Sequence, residues 1–134
     1  MRYTLMLSML LAVNAHAYSV TGSRALDSAR AYLAFQADND QDFPVLLEVR
    51  YWQGLVQGAS SVFAQPSYKY ALCYPEESNL GQTATLAAQH LIENPDRLNE
   101  PVEDLIWASH FAAYGFMFDR TCRNESRYRE IHDK

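Results

Sequence analysis

"VLLEVRYWQGLVQGASSVF", Val45 to Phe63, decides the fold class. Val45, Val49, Trp52, Val56, Ala59 and Phe63 recur at alternating spacings of four and three. That is one face of an α-helix, not the period of two of a strand. Leu46 and Leu55 widen the face, and the helix runs to about Ala64. Gly54 and Gly58 stand inside it, and each glycine costs a helix interior about 1 kcal/mol relative to alanine. A phosphate-cradling loop would set its glycines between a strand and a helix, with a lysine following. Here the apolar period continues through both glycines and no lysine follows. A spacing of four puts them on one helix face. They read as a helix-packing groove, extended by Ala59 and Ser60, with a hinge as the alternative. Whether the groove serves this chain or a second copy stays open.

Three more helices flank this one. The first spans about Ser23 to Ala37, with Ser23 as a possible cap and Leu26, Ala29, Tyr32 and Leu33 as its apolar stripe. "DNDQD" (Asp38 to Asp42) separates the two, and Asp40 or Asp42 could cap the second helix, whose first turn suits Pro44. Leu80 to Glu93 is the third, capped by Ser78 or Asn79 and stopped at Asn94-Pro95. The fourth follows Asn99, with Pro101 in its first turn. Glu100, Glu103 and Asp104 suit the positive end of its dipole. Val102, Leu105, Ile106, Ser109, Ala113 and Phe116 form its stripe, to about Phe118. The expected fold is all-α, a compact bundle of four main helices with one disulfide.

The termini differ in character. Arg2, the apolar run Leu5 to Val13 and small residues at Ala15 and Ala17 follow the layout of a signal peptide, so residues 1–17 read as a cleaved leader. The apolar run falls short of the roughly 20 residues needed to span a bilayer. The domain then covers residues 18–122, and 123–134 is a charged tail. Without Arg2 the chain holds 10 basic and 16 acidic residues, a net charge of −6. That gives no basic footprint for nucleic acid and favours a basic partner. Cys73 and Cys122 are the only cysteines. In an exported chain an even count reads as one bridge, closing a loop of about 50 residues worth about 4 kcal/mol in the chain-entropy model.

No catalytic constellation emerges. Asp38, Asp40 and Asp42 alternate as in a calcium loop, but Phe43 and Val49 stand where glycine and glutamate belong. His90, His110 and His132 share no metal-binding spacing, and the two helical ones read as surface or partly buried. No serine sits in a nucleophile elbow. Asn124 to Ser126 matches a glycosylation sequon, relevant only in a eukaryote. The reading is therefore a binding protein, not an enzyme, with no cofactor and no metal.

The segment Ser67 to Asn79 holds Tyr68, Tyr70 and Tyr74 close to Glu76 and Glu77. A short strand is possible, without an obvious partner. Tyrosine buries area at low entropy cost and is enriched in binding hot spots. Such a segment serves equally well to cover the edge of the core.

Three stretches taken together resemble the Rap/Tai-type immunity family of type VI secretion systems, the resistance-associated proteins. They are "WQGLVQGASSVF", "LCYPEESNLGQTATLAAQHLIENPDRL" and "PVEDLIWASHFAAYGFMFDRTC". The matching features are Leu55 to Gly58, Cys73 with Pro75, Gly81-Gln82, Leu91 to Pro95, and Phe118 to Cys122. Trp52 stands where family members often carry a helix-two cysteine, and Tyr74 interrupts the cysteine-proline pair. The resemblance implies a periplasmic homodimer that binds a secreted effector, a peptidoglycan hydrolase or amidase, and blocks it. Tyr68, Tyr70, Tyr74, Glu76, Glu77 and Asn79 are then the expected toxin-binding residues. A general periplasmic chaperone of the small helical acid-stress type is the alternative.

Overall fold

The computed structural model describes residues 20–38, 42–65 and 67–116. They form four α-helices in chain order: α1 Gly22–Asp38, α2 Phe43–Phe63, α3 Leu80–Glu93 and α4 Val102–Tyr114. A 3₁₀ turn, Pro95–Arg97, links α3 to α4. Among the described residues there is no strand, only the isolated bridges Thr21↔Pro101 and Leu72↔Phe116. The all-α bundle is as expected. The leader, the 123–134 tail and Cys122 lie outside the described residues.

α2 buries the side of its wheel that the sequence marks: Val49, Trp52, Val56 and Phe63 are in the core, with Val45 and Ala59 half-buried. α1 contributes mostly small residues, Ala25, Ser28 and Ala29, around one large side chain, Tyr32. Small side chains let it lie close to both α2 and α3. The close approach is tightest at Gly22. A Cβ there would stand 2.5 Å from Leu105 Cδ1 and 3.2 Å from Leu98 backbone atoms. Real Cβ atoms do not approach that closely, so glycine is the residue that fits.

Ser23 does not cap α1. The first donors of α1 are satisfied by the segment before α4: Gly22 N–H donates to Glu100 O (3.0 Å) and Ser23 N–H to Leu98 O (2.7 Å). The Ser23 hydroxyl also donates to Leu98 O, at 2.9 Å. Long-range backbone pairing replaces a local cap and ties the start of α1 to the segment that leads into α4. Asp42 is the N-cap residue of α2 but its side chain makes no capping hydrogen bond.

α3 forms where the sequence places it. Asn79 accepts from Gln82 N (3.0 Å) while the Gln82 side chain accepts from Asn79 N (3.2 Å), a complete capping box. Its buried face is Thr83, Ala84, Ala87, Ala88 and Leu91. Three other helices each aim one donor at its backbone. Tyr32 Oη–H of α1 donates to Gly81 O (3.1 Å), Trp52 Nε1–H of α2 to Ala84 O (3.0 Å), and His110 Nε2–H of α4 to Thr83 O (2.9 Å).

α4 ends four residues earlier than its apolar pattern suggests. Gly115 stops it with φ +70° and ψ −174°, a region open essentially to glycine alone. The buried stripe therefore runs through Val102, Leu105, Ile106, Ser109 and His110, while Ala113 and Phe116 are exposed.

Of the two places left open for the glycine groove, the structure shows no contact within the described bundle. Gly54 and Gly58 are exposed, and a Cβ at either would meet nothing within 4 Å. No described helix lies against them. They face outward with Phe43 (72% exposed), Leu47 (55%), Tyr51 and Val62. At 3.6 residues per turn these six positions fall within an arc of about 100°, roughly opposite the core stripe.

Candidate interaction site

The tyrosine segment is tied to the bundle by three hydrogen bonds within residues 70 to 73. Leu72 N–H donates to Phe63 O (2.8 Å) and Cys73 N–H to Gly115 O (3.0 Å). Trp107 Nε1–H donates to Tyr70 O at 3.0 Å. The second of these bonds holds the segment to the residue that ends α4. Ala71, Leu72, Cys73 and Tyr74 are all buried. A chain held this way exposes a few side chains from a fixed backbone, so little ordering entropy is lost on binding.

The six expected toxin-binding residues separate into three groups. Tyr70, Glu76 and Glu77 are exposed, with Tyr70 at 47%. Tyr68 is half-buried, its ring 5.7 Å from Phe63 and 6.0 Å from Tyr70. The other two have work inside the fold. Asn79 is exposed but spends its side chain on the cap of α3. Tyr74 is only 5% exposed and is withdrawn as a contact residue. Its hydroxyl meets His110 Nδ1 at 2.7 Å, and its ring lies against Tyr114.

This buried Tyr74–His110 pair was not visible in the sequence, where His110 reads as surface or partly buried. Its tautomer follows from its partners. Thr83 O can only accept, so Nε2 carries the proton; Nδ1 then accepts from the Tyr74 hydroxyl. Burial pushes the His110 pKa below its ordinary value, opposed by the hydrogen bond to Thr83 O. Burial likewise pushes the Tyr74 phenol up to about 12. Both groups are neutral in the folded protein near neutral pH.

The exposed side chains frame two grooves. One, about 680 Å³, lies between the end of the tyrosine segment and α3, lined by Gln36, Pro75, Glu77, Asn79, Leu86 and Tyr114. The other, about 450 Å³, lies between Tyr68, Tyr70 and the start of α4, where Glu103, Asp104 and Trp107 line it. An aromatic row continues from it. Trp107 stacks on Phe111 at 4.9 Å, and Phe116 meets Phe111 at 4.5 Å. The sequence signal for this row was available in the i, i+4 spacing of Trp107 and Phe111, which makes helix residues neighbours.

No group of three or more His, Cys, Asp or Glu able to hold a metal ion occurs among the described residues. Of the three alternating aspartates, Asp38 and Asp42 are described and Asp40 lies outside the described residues. No described helix is long and apolar enough to cross a membrane. Comparison with protein-family models, with curated proteins and with solved structures returns no match to this chain.

Proposed function

We propose that this chain is a periplasmic immunity protein that binds and neutralises a type VI secretion effector, a peptidoglycan hydrolase or amidase. The observation that carries this reading is the anchored tyrosine segment, which exposes Tyr70 on a backbone tied into the bundle, with Glu76 and Glu77 exposed on the turn that follows. Pre-set aromatic and charged groups are what a tight inhibitor presents to an enzyme. The family resemblance supplies the partner class. A Cys73–Cys122 bridge belongs to the same proposal and would reinforce the anchorage.

The proposal expects an exported cell-wall hydrolase to be encoded beside the gene, and the test uses that enzyme. The purified chain should bind it one-to-one and suppress its lysis of peptidoglycan. Replacing Tyr70, Glu76 and Glu77 together by alanine should weaken binding by 2 kcal/mol or more, about thirtyfold, and leave the far-UV circular dichroism unchanged. Equal affinity in that variant would remove the segment from the interface.

For the homodimer implied by the resemblance we propose the outward face of α2 as the contact. The outward face of α2 is bulky in its first half (Phe43, Leu47, Tyr51) and bare at Gly54 and Gly58. An antiparallel copy would set the bulky half against the bare one. Gly58→Leu should leave the monomer folded, since the side chain meets only open space, and shift the assembly to monomer in sedimentation. An unchanged dimer after that substitution would place the contact elsewhere.

The chaperone reading keeps one specific observation in its favour, the buried His110, whose protonation should cost the fold stability in acid. It expects suppression of aggregation of many unrelated proteins at low pH. Tight one-to-one binding of a single effector, without that broad activity, would reject it.

A further inference from the structure

We infer that the groove between Tyr68–Tyr70 and the first turn of α4 receives a basic side chain, an arginine above all, from a protein partner. This deepens the proposal above, and rests on reading the tyrosine segment as a protein-binding surface.

Two kinds of wall meet in the groove. One is aromatic: Tyr68, Tyr70 and Trp107. The other is acidic: Glu100, Glu103 and Asp104. Their charges are unequally spent. Arg97 holds Glu100 in a bidentate pair, Nε to Oε1 at 2.8 Å and Nη2 to Oε2 at 2.7 Å. Glu103 and Asp104 have no ion pair among the described residues. With Arg97 counted, the groove carries a net charge of −2. The first turn of α4 accounts for some carboxylate there, since its dipole favours negative charge by about 0.3–1 kcal/mol per group. That preference does not require an aromatic wall opposite.

The combination selects a particular chemistry. Carboxylates attract any cation, but aromatic faces attract best those that are flat and weakly hydrated. Guanidinium satisfies both, stacking on a ring while its N–H groups reach a carboxylate. The rings already show this behaviour within the chain, for Lys69 Nζ sits 5.1 Å over the Tyr70 ring. The net charge of −6 on residues 18–134 steers basic partners toward the surface in general. The groove would give that attraction a specific seat.

The probe is a hexa-arginine peptide, followed by NMR through the two indole N–H signals. Trp107 lines the groove and Trp52 is buried in the core, so each reports a different place. Titration should move the Trp107 signal saturably and leave Trp52 still. A hexa-lysine peptide should bind more weakly, and a hexa-glutamate peptide should not bind. Two double variants separate the groove from bulk charge, because each removes two negative charges. Glu103→Gln with Asp104→Asn should weaken hexa-arginine binding by roughly tenfold or more. Glu76→Gln with Glu77→Gln should change it little. No saturable Trp107 shift, or equal weakening by the two pairs, would overturn the inference. The same variants tested against the effector keep the two proposals distinguishable. If hexa-arginine binds at Trp107 but the hydrolase is never bound, the groove stands and the immunity reading falls. If the hydrolase binds as tightly to the Glu103/Asp104 variant as to the parent, immunity stands and the groove is not where the effector docks.

Discussion

Replacing Trp52 by alanine is expected to remove about 3–5 kcal/mol of folding stability, the range for emptying a large aromatic site in a core. Trp52 is fully buried at the centre of α2, and its ring nitrogen is bonded to Ala84 O of α3. Typical domains hold about 5–15 kcal/mol in total, so the variant would stand near the edge of folding. Urea unfolding, followed by circular dichroism, measures the loss as a fall in midpoint at constant slope. Trp52→Phe separates the two contributions. It keeps most of the buried ring and deletes the donor, so it should cost far less than the alanine variant. Ala84 O also lies within the hydrogen-bonded run of α3, so the share lost with the donor should be about 1 kcal/mol. If the alanine variant lost under 1 kcal/mol, Trp52 would not be the packing centre described above.

Acid should destabilise the fold through His110. Its folded pKa is lowered by burial while its unfolded value is about 6.5, so the unfolded chain binds more protons between the two. Stability from this group is therefore complete above about pH 6.5 and is lost as pH falls through the window down to the lowered folded value. The slope of one such group reaches at most about 1.4 kcal/mol per pH unit. His90 is lowered as well, chiefly by burial with help from Arg97, and acts in the same direction from a less buried place. His110→Gln keeps a donor for Thr83 O and an acceptor for Tyr74 but cannot titrate in this range. Its stability should change less between pH 7 and 5 than that of the parent, and His90→Gln should flatten the profile less. Identical pH profiles for the parent and His110→Gln would show that His110 does not govern the acid response.

The sequence is easiest to read where one helix answers to one neighbour. The boundaries of α3 follow from its capping box and from Asn94-Pro95, both local signals. The stripe of α2 follows from its period. The same wheel also places Gly54 and Gly58 away from that stripe. Gly54 lies two residues past Trp52, about 200° round the helix. Two small residues on one face show that a backbone could approach, but not that one does. Tyr74 and His110 fail differently. The alternating pattern of the tyrosine segment resembles a half-exposed strand, yet residues 71 to 74 are buried in succession, because the chain passes between Phe63 and Gly115 and is covered on both sides. Burial of that kind depends on contacts between distant segments, which no local pattern encodes. The groove at Glu103 and Asp104 was hidden for a related reason. Their place in the first turn of α4 already had an explanation in the helix dipole.

The three donors on α3 carry a consequence for how the bundle is addressed. Tyr32, Trp52 and His110 each bond a main-chain oxygen, at Gly81, Ala84 and Thr83. Those acceptors belong to the peptide backbone and survive any substitution that keeps the helix. The instructions that set α3 in register are thus written on its neighbours, while α3 itself must stay slim along one side and keep its cap. Its outward positions are free to be recoded without moving the helix. A designer could graft a new recognition surface there and leave the three keys untouched. Altering a key instead would ask α3 to find a new angle against one partner while the other two still held the old one.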